Sequence, residues 1–92
     1  MRILISKFTK DALDESYLLR EIDDVQVRGK NESVKIYEVM IDTERNNQIK
    51  VLYEEALSHF YDKNIQKAKE LFEKCDTIYD DKTSKVFIEK YL

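Results

Sequence analysis

Three kinds of side chain in this sequence could carry chemistry: a pair of cations, a lone histidine and cysteine, and three acidic doublets. Arg28 and Lys30 flank Gly29, the only glycine in 92 residues, within the stretch VQVRGKNESVKIYEV. A tight hairpin loop needs a positive φ somewhere, and glycine takes that conformation at little cost. Turn geometry therefore accounts for the glycine by itself, and any task for the two cations has to be argued separately. His59, the only histidine, falls beside the apolar stripe of an expected helix. With one cysteine elsewhere, it lacks the neighbours that a metal site or an activated nucleophile requires. Cys75 falls on a stripe position and reads as a small core side chain. Glu54–Glu55, Asp23–Asp24 and Asp80–Asp81 read as solvated faces or helix caps. A carboxylate pair for acid–base catalysis needs a pocket, and a chain this short has little material to build one.

The elements that must position these residues follow from apolar periodicity. RILIS, residues 2–6, is a short continuous apolar run, expected as a strand buried on both faces. Ser6 stands where an N-cap belongs, ahead of a short helix through Phe8, Ala12 and Leu13. YLLREIDDVQVR, residues 17–28, returns to extended structure, and the phase of its alternation shifts at Asp23–Asp24, which predicts a bulge or a bend there. SVKIYEVM, residues 33–40, is rich in β-branched and aromatic residues and forms the second arm of a hairpin. IDTERN, residues 41–46, carries no strong pattern and reads as a linker or a helix lead-in, and after it the period changes. Ile49, Leu52, Tyr53, Ala56, Leu57 and Phe60 make one helical stripe; Ile65, Ala68, Leu71, Phe72, Cys75, Ile78 and Tyr79 make a second. The doublet at 80–81 caps a short third helix bearing Phe87, Ile88, Tyr91 and Leu92. The two long stripes face each other most simply as an antiparallel pair. The fold class is α+β: a strand–helix–hairpin piece over residues 1–41, a linker at 42–46 and a helical segment at 47–92.

Composition narrows the function classes. Charged residues make up 38% and hydrophobic ones 42%, and the net charge is −3. That balance gives no general attraction to nucleic acid or to an anionic membrane, and the six tyrosines are not interleaved with a basic patch. A single cysteine allows no intramolecular disulfide, which suits a reducing cytoplasm. No apolar run approaches the roughly 18 residues of a membrane span, so any anchor of the parent protein is expected upstream. A chain of this length buries only about 60–65% of its unfolded surface, so its stability margin is thin.

Two resemblances add to this reading. Ala56, Ile65, Ala68, Phe72 and Cys75 stand where a tetratricopeptide unit of roughly 34 residues wants small, large, small, large and small side chains. The helical half resembles one such unit, with Lys63 in place of the usual inter-helix glycine and Asp80 where the repeat often ends in proline. The first half, through RILIS, a helix with Thr9, Ala12 and Leu13, and LLREIDDVQVRGKNESVKIYEV, resembles the end of a class III adenylate/guanylate cyclase catalytic domain. That family's tail runs as a strand like ILIS, a helix, and D-x-V-x-V-K-G-K-x-x-P-V-x-I-Y-E-V. Asp23 or Asp24, Val25, Val27, Arg28, Gly29, Lys30, Val34, Ile36, Tyr37, Glu38 and Val39 match it, over roughly residues 2–40. Ser33 replaces the family's proline.

The cyclase resemblance implies a role for the cations. In the family the first basic residue of the K-G-K string contacts the nucleotide triphosphate, and its match here is Arg28, with Lys30 as a second candidate. A guanidinium at a hairpin tip, beside a glycine that lets the backbone come close, can neutralise phosphate charge, although Arg in place of Lys changes the donor geometry. The family's metal-binding aspartates, base-reading pair and transition-state Asn/Arg pair all lie upstream of the ILIS-like strand. The segment is therefore expected to hold no metal, and to be inactive alone. Mg or Mn with ATP or GTP would act in the intact enzyme, and the base-reading positions that would choose between the nucleotides are absent. Implied partners are the upstream cyclase domain, a second cyclase domain in a dimer and a protein docking on the helical tail. A strand-paired or exchanged homodimer of the segment is a further expectation, because a piece cut from a larger sheet leaves edges unpaired. No nucleic-acid or membrane contact is expected. The competing class is a non-catalytic interaction module built on the helical hairpin.

Overall fold

The computed structural model describes residues 3–13, 16–26, 29 and 32–92. Among the described residues seven elements follow one another: β1 (Ile3–Ser6), α1 (Lys7–Ala12), β2 (Leu18–Gln26), β3 (Ser33–Met40), α2 (Glu44–Tyr61), α3 (Ile65–Tyr79) and α4 (Lys82–Tyr91). The α+β class expected from the two hydrophobic periods is the class observed. The strands form one antiparallel sheet in the order β1-β3-β2, so the hairpin's second arm is central and the first arm is an edge.

Local chemistry explains most boundaries. Ser6 caps α1, its Oγ accepting from the Thr9 N–H at 3.3 Å. Thr43 caps α2 in the same way, accepting from the Asn46 N–H at 3.1 Å. The helix thus begins at Glu44 and takes in residues 44–46 of the expected linker; with a capping threonine at 43, the polar residues that follow enter the first turn. Gly29 sits at φ +80 with nothing within 4 Å of the space a Cβ would fill. Backbone conformation, not close approach, is what demands glycine at this turn.

Among the described residues, two left-handed positions carry side chains: Lys63 at φ 64 between α2 and α3, and Asp80 at φ 52 closing α3. The Lys63 N–H donates to the Phe60 carbonyl at 3.0 Å, so the turn is closed despite the Cβ. A left-handed Cβ costs about 1–2 kcal/mol, and the extra freedom glycine gives the unfolded chain costs about 0.4–1 kcal/mol. Lys63→Gly is therefore expected to stabilise the chain by roughly 0.5 kcal/mol, read as a higher urea midpoint at unchanged slope.

Burial separates the two ends of the molecule. Tyr53, Ala56, Ala68, Phe72 and Cys75 are each fully buried, and Ile49, Leu57, Leu71 and Phe87 nearly so. The small Ala56 and Ala68 lie at the α2–α3 contact, where they permit close approach of the two backbones. Phe72 stacks on Phe87 with ring centroids 4.4 Å apart, and Tyr53 meets Phe72 edge-on at 5.1 Å. Ile22 of β2 belongs to the same cluster, so sheet and helices share one core.

Several expectations need correction. The strand expected to be buried on both faces, β1, is an outer strand with Ile3 and Leu4 about half exposed; β3 pairs with only one of its edges, and an apolar run records hydrophobicity without saying what covers it. Phe8 is 87% exposed and no residue of α1 is buried. Ile65 and Ile78, assigned to the inner stripe of α3, lie near its two ends and are exposed. The bulge falls between Glu21 and Asp23, at Ile22, slightly ahead of the acidic doublet.

Candidate functional site

The sheet meets the helices through charge. Arg20 of β2 and Glu38 of β3 are direct partners in the strand register, and the Arg20 guanidinium donates to Glu38 Oε1 at 2.7 Å. Its other arm donates to Asp81 Oδ2, also at 2.7 Å. Only 2% of the Arg20 side chain is exposed, against 13% for Glu38 and 9% for Asp81. The guanidinium carbon also lies 4.7 Å from the centre of the Tyr53 ring, a cation–π contact inside the core. Asp81 accepts a further hydrogen bond from Ser84 Oγ at 2.7 Å, and the Cys75 thiol points to it at 3.6 Å.

These neighbours set the protonation states. Burial alone would raise the Asp81 carboxyl; the hydrogen bond and positive charge of Arg20, joined by Ser84, outweigh it and hold that carboxyl below its usual value. Burial raises the Cys75 thiol to about 11, so the group stays protonated near neutral pH and behaves as the core side chain its stripe position predicts. His59 is half-buried on α2 with Asn64 near its Nδ1, at 3.4 Å. Among the described residues no group of three or more His, Cys, Asp and Glu side chains is arranged to hold a metal ion.

Asp81 was expected as a helix cap or as part of a solvated face. It does stand at the N-terminus of α4, but its side chain makes no bond to the helix backbone N–H groups. The Arg20 guanidinium and the Ser84 hydroxyl engage the carboxylate instead. Asp23 and Glu54 are likewise committed: Tyr91 donates to Asp23 at 2.8 Å, and the Glu21 N–H donates to Glu54 at 2.9 Å. Arg20 and Glu38 were missed as structural charges. A signal was present, since each is the lone charge in an apolar alternation, Leu18-x-Arg20-x-Ile22 and Val34-x-Ile36-x-Glu38-x-Met40.

Two shallow grooves flank the strand–helix junction. One, of about 330 Å³, is lined by Glu21, Lys35, Glu54, Ser58, Tyr61 and Asp62 among others. A second, of about 320 Å³, opens beside Arg20, Glu38, Arg45, Asp81 and Lys82. Charges of both signs line each, and ion pairs and hydrogen bonds within the protein already occupy Lys35, Arg20, Glu21 and Asp81. Arg28 and Lys30, the cations expected to meet phosphate, lie outside the described residues, so of that turn only Gly29 is placed.

No helix among the described residues is long and apolar enough to cross a membrane. No family model matches the chain, and no solved structure matches it. It is 34% identical over 99 residues to a Dictyostelium discoideum protein named "Adenylate cyclase, terminal-differentiation specific". The alignment takes in 97% of this chain and 5% of that protein, so the chain spans about one-twentieth of its relative's length. Sheet and helices alike, the chain is thus similar to one region of an adenylate cyclase.

Proposed function

We propose that this chain is the closing segment of a class III adenylate cyclase catalytic domain together with the helical extension that follows it, acting within a longer enzyme that forms cyclic AMP from ATP. One observation carries the reading: likeness to a protein named as an adenylate cyclase runs along 97% of the chain. The order strand, helix, hairpin and the glycine turn at Gly29 are compatible with it. Within that enzyme Arg28, with Lys30 beside it, contributes positive charge to the triphosphate, while Mg or Mn is held by residues outside this chain. The half-exposed Ile3 and Leu4 on the outer strand and the exposed Phe8 offer apolar surface for the rest of the catalytic domain.

Arg28→Ala in the longer enzyme is expected to lower kcat/KM for ATP by about 10–100-fold, the loss of one charge-assisted contact. Turnover equal to wild type removes Arg28 from the mechanism, and a longer protein that makes no cyclic nucleotide removes the reading.

The second reading, a tetratricopeptide-like interaction module, is favoured by the helical half's exposed apolar side chains: Val51 is 68% and Ile78 64% exposed. A helical docking surface and a catalytic sheet are compatible in one protein, and the helices then serve as a regulatory or docking surface on the enzyme.

A further inference from the structure

The outer edge of β2 is held by side chains from the helices at three successive residues. The Glu21 N–H donates to Glu54 Oε2 at 2.9 Å, and the Tyr61 hydroxyl donates to the Glu21 carboxylate at 2.8 Å. The Tyr53 hydroxyl donates to the Ile22 carbonyl at 2.9 Å. The Tyr91 hydroxyl donates to Asp23 Oδ2 at 2.8 Å, with Lys90 Nζ 3.5 Å from the same oxygen. These three residues are where the register shifts: Glu21 pairs with Tyr37, and Asp23, not Ile22, pairs with Ile36. A bulge leaves one residue outside the ladder, and its backbone groups need partners elsewhere.

We propose that α2 and α4 are positioning elements for the hairpin: they lock the one-residue bulge at Ile22 and thereby fix which face of the sheet each side chain presents from Asp23 to Val25. Side chains along a strand alternate with a period of two, so a one-residue slip moves all of them to the opposite face. Without the bulge, Ile22 would stand opposite Ile36, Asp23 opposite Lys35 and Val25 opposite Ser33. That register is chemically competitive, since it sets Asp23 against a lysine and keeps every pair up to Glu21–Tyr37. Side chains of α2 and α4 hold the observed register against it, with Tyr53 and Glu54 contacting the strand's own backbone groups. The helices thus decide the face that β2 offers from Asp23 to Val25. The register inference stands on the strand geometry alone; only its consequence for a nucleotide rests on the cyclase reading.

The test is made on this 92-residue chain by NMR and hydrogen exchange. Wild type is expected to show cross-strand contacts for Asp23–Ile36 and Val25–Val34. In Tyr53→Phe combined with Glu54→Met, which removes both the hydroxyl donor and the carboxylate acceptor, amides 21–25 are expected to exchange about tenfold faster while β1–β3 amides keep their rates, because the lost bonds lie only on the β2 edge. Contacts of the Ile22–Ile36 register are expected to appear. Unchanged exchange at 21–25 together with intact Asp23–Ile36 contacts overturns the proposal. If the double variant does not fold, Tyr91→Phe decides, since that side chain is partly exposed: about threefold faster exchange confined to β2 supports the lock, and no change overturns it. Carried into the longer enzyme, a register change with unaltered cyclic AMP formation keeps the lock and counts against the nucleotide role of the turn.

Discussion

Asp81→Ala is expected to lower the stability of this chain by about 3–5 kcal/mol, because it leaves a guanidinium buried with one of its two charged partners gone. Arg20 cannot shed its proton, and it cannot reach solvent while it lies against the Tyr53 ring. Ser84 loses its acceptor in the same step. A domain of this size has about 5–14 kcal/mol in total, so the variant is expected to be partly unfolded at room temperature, measured by urea denaturation. Replacing the whole network tests the cause. Arg20→Met, Glu38→Leu and Asp81→Leu together are expected to lie within about 2 kcal/mol of wild type, since no charge is then left stranded. If the triple replacement proves as damaging as Asp81→Ala, the loss comes from packing and not from an uncompensated charge.

The same carboxylate gives stability a pH dependence of known sign. Its folded-state value lies below the ordinary 3.8 because of Arg20, despite burial. A carboxyl depressed on folding contributes stability that is fully present above the unfolded value and is lost as pH falls through the folded one. Unfolding free energy is therefore expected to drop below about pH 4. An Asp81→Asn variant, already weaker at neutral pH, is expected to lose less over that window. Parallel acid limbs for the two proteins would assign the effect to other carboxylates.

Phe72→Ala carries the second large effect, a loss of about 3–5 kcal/mol. The ring is fully buried, stacked on Phe87 and edge-on to Tyr53, so its removal leaves a hole at the point where three helices meet. Rigid aromatic neighbours relax poorly into such a space, which places the cost toward the upper end of the range. Ile78→Ala on the same helix is the control; its side chain is 64% exposed, and a change within about 0.5 kcal/mol is expected. Similar losses at both positions in thermal or urea unfolding would mean that α3 is not oriented as described.

Ser6 and Gly29 were legible because each answers a local need, an orphan N–H at a helix start or a left-handed backbone angle at a turn, whereas Thr43, which caps α2, fell in the expected linker. The apolar stripe of α2 was legible for a related reason, since periodicity reports a helix's own geometry. Ile65 and Ile78 were read as inner residues on the same periodic grounds, yet both are exposed, because periodicity names a stripe and not how wide a strip the neighbours cover. Arg20, Glu38 and Asp81 show the limit more sharply. Arg20 and Glu38 interrupt apolar alternations in a way the sequence displays, but Asp81 lies 61 residues from Arg20, and no spacing rule connects them. As for the candidate site, its glycine is placed and its two cations lie outside the described residues.

By itself, the sequence determined the elements and the turn: two hydrophobic periods, the capping residues and one glycine specify strands, helices and a hairpin through interactions within a few residues of one another. It also carried the likeness to a cyclase, because side-chain identity and order survive without any knowledge of packing. Only the tertiary structure decided that sheet and helices share a core, that a buried arginine joins them, and that tyrosines from two helices seize the bulge in β2. Those outcomes depend on which surfaces meet, and burial, pairing and protonation are properties of the meeting and not of the residues alone.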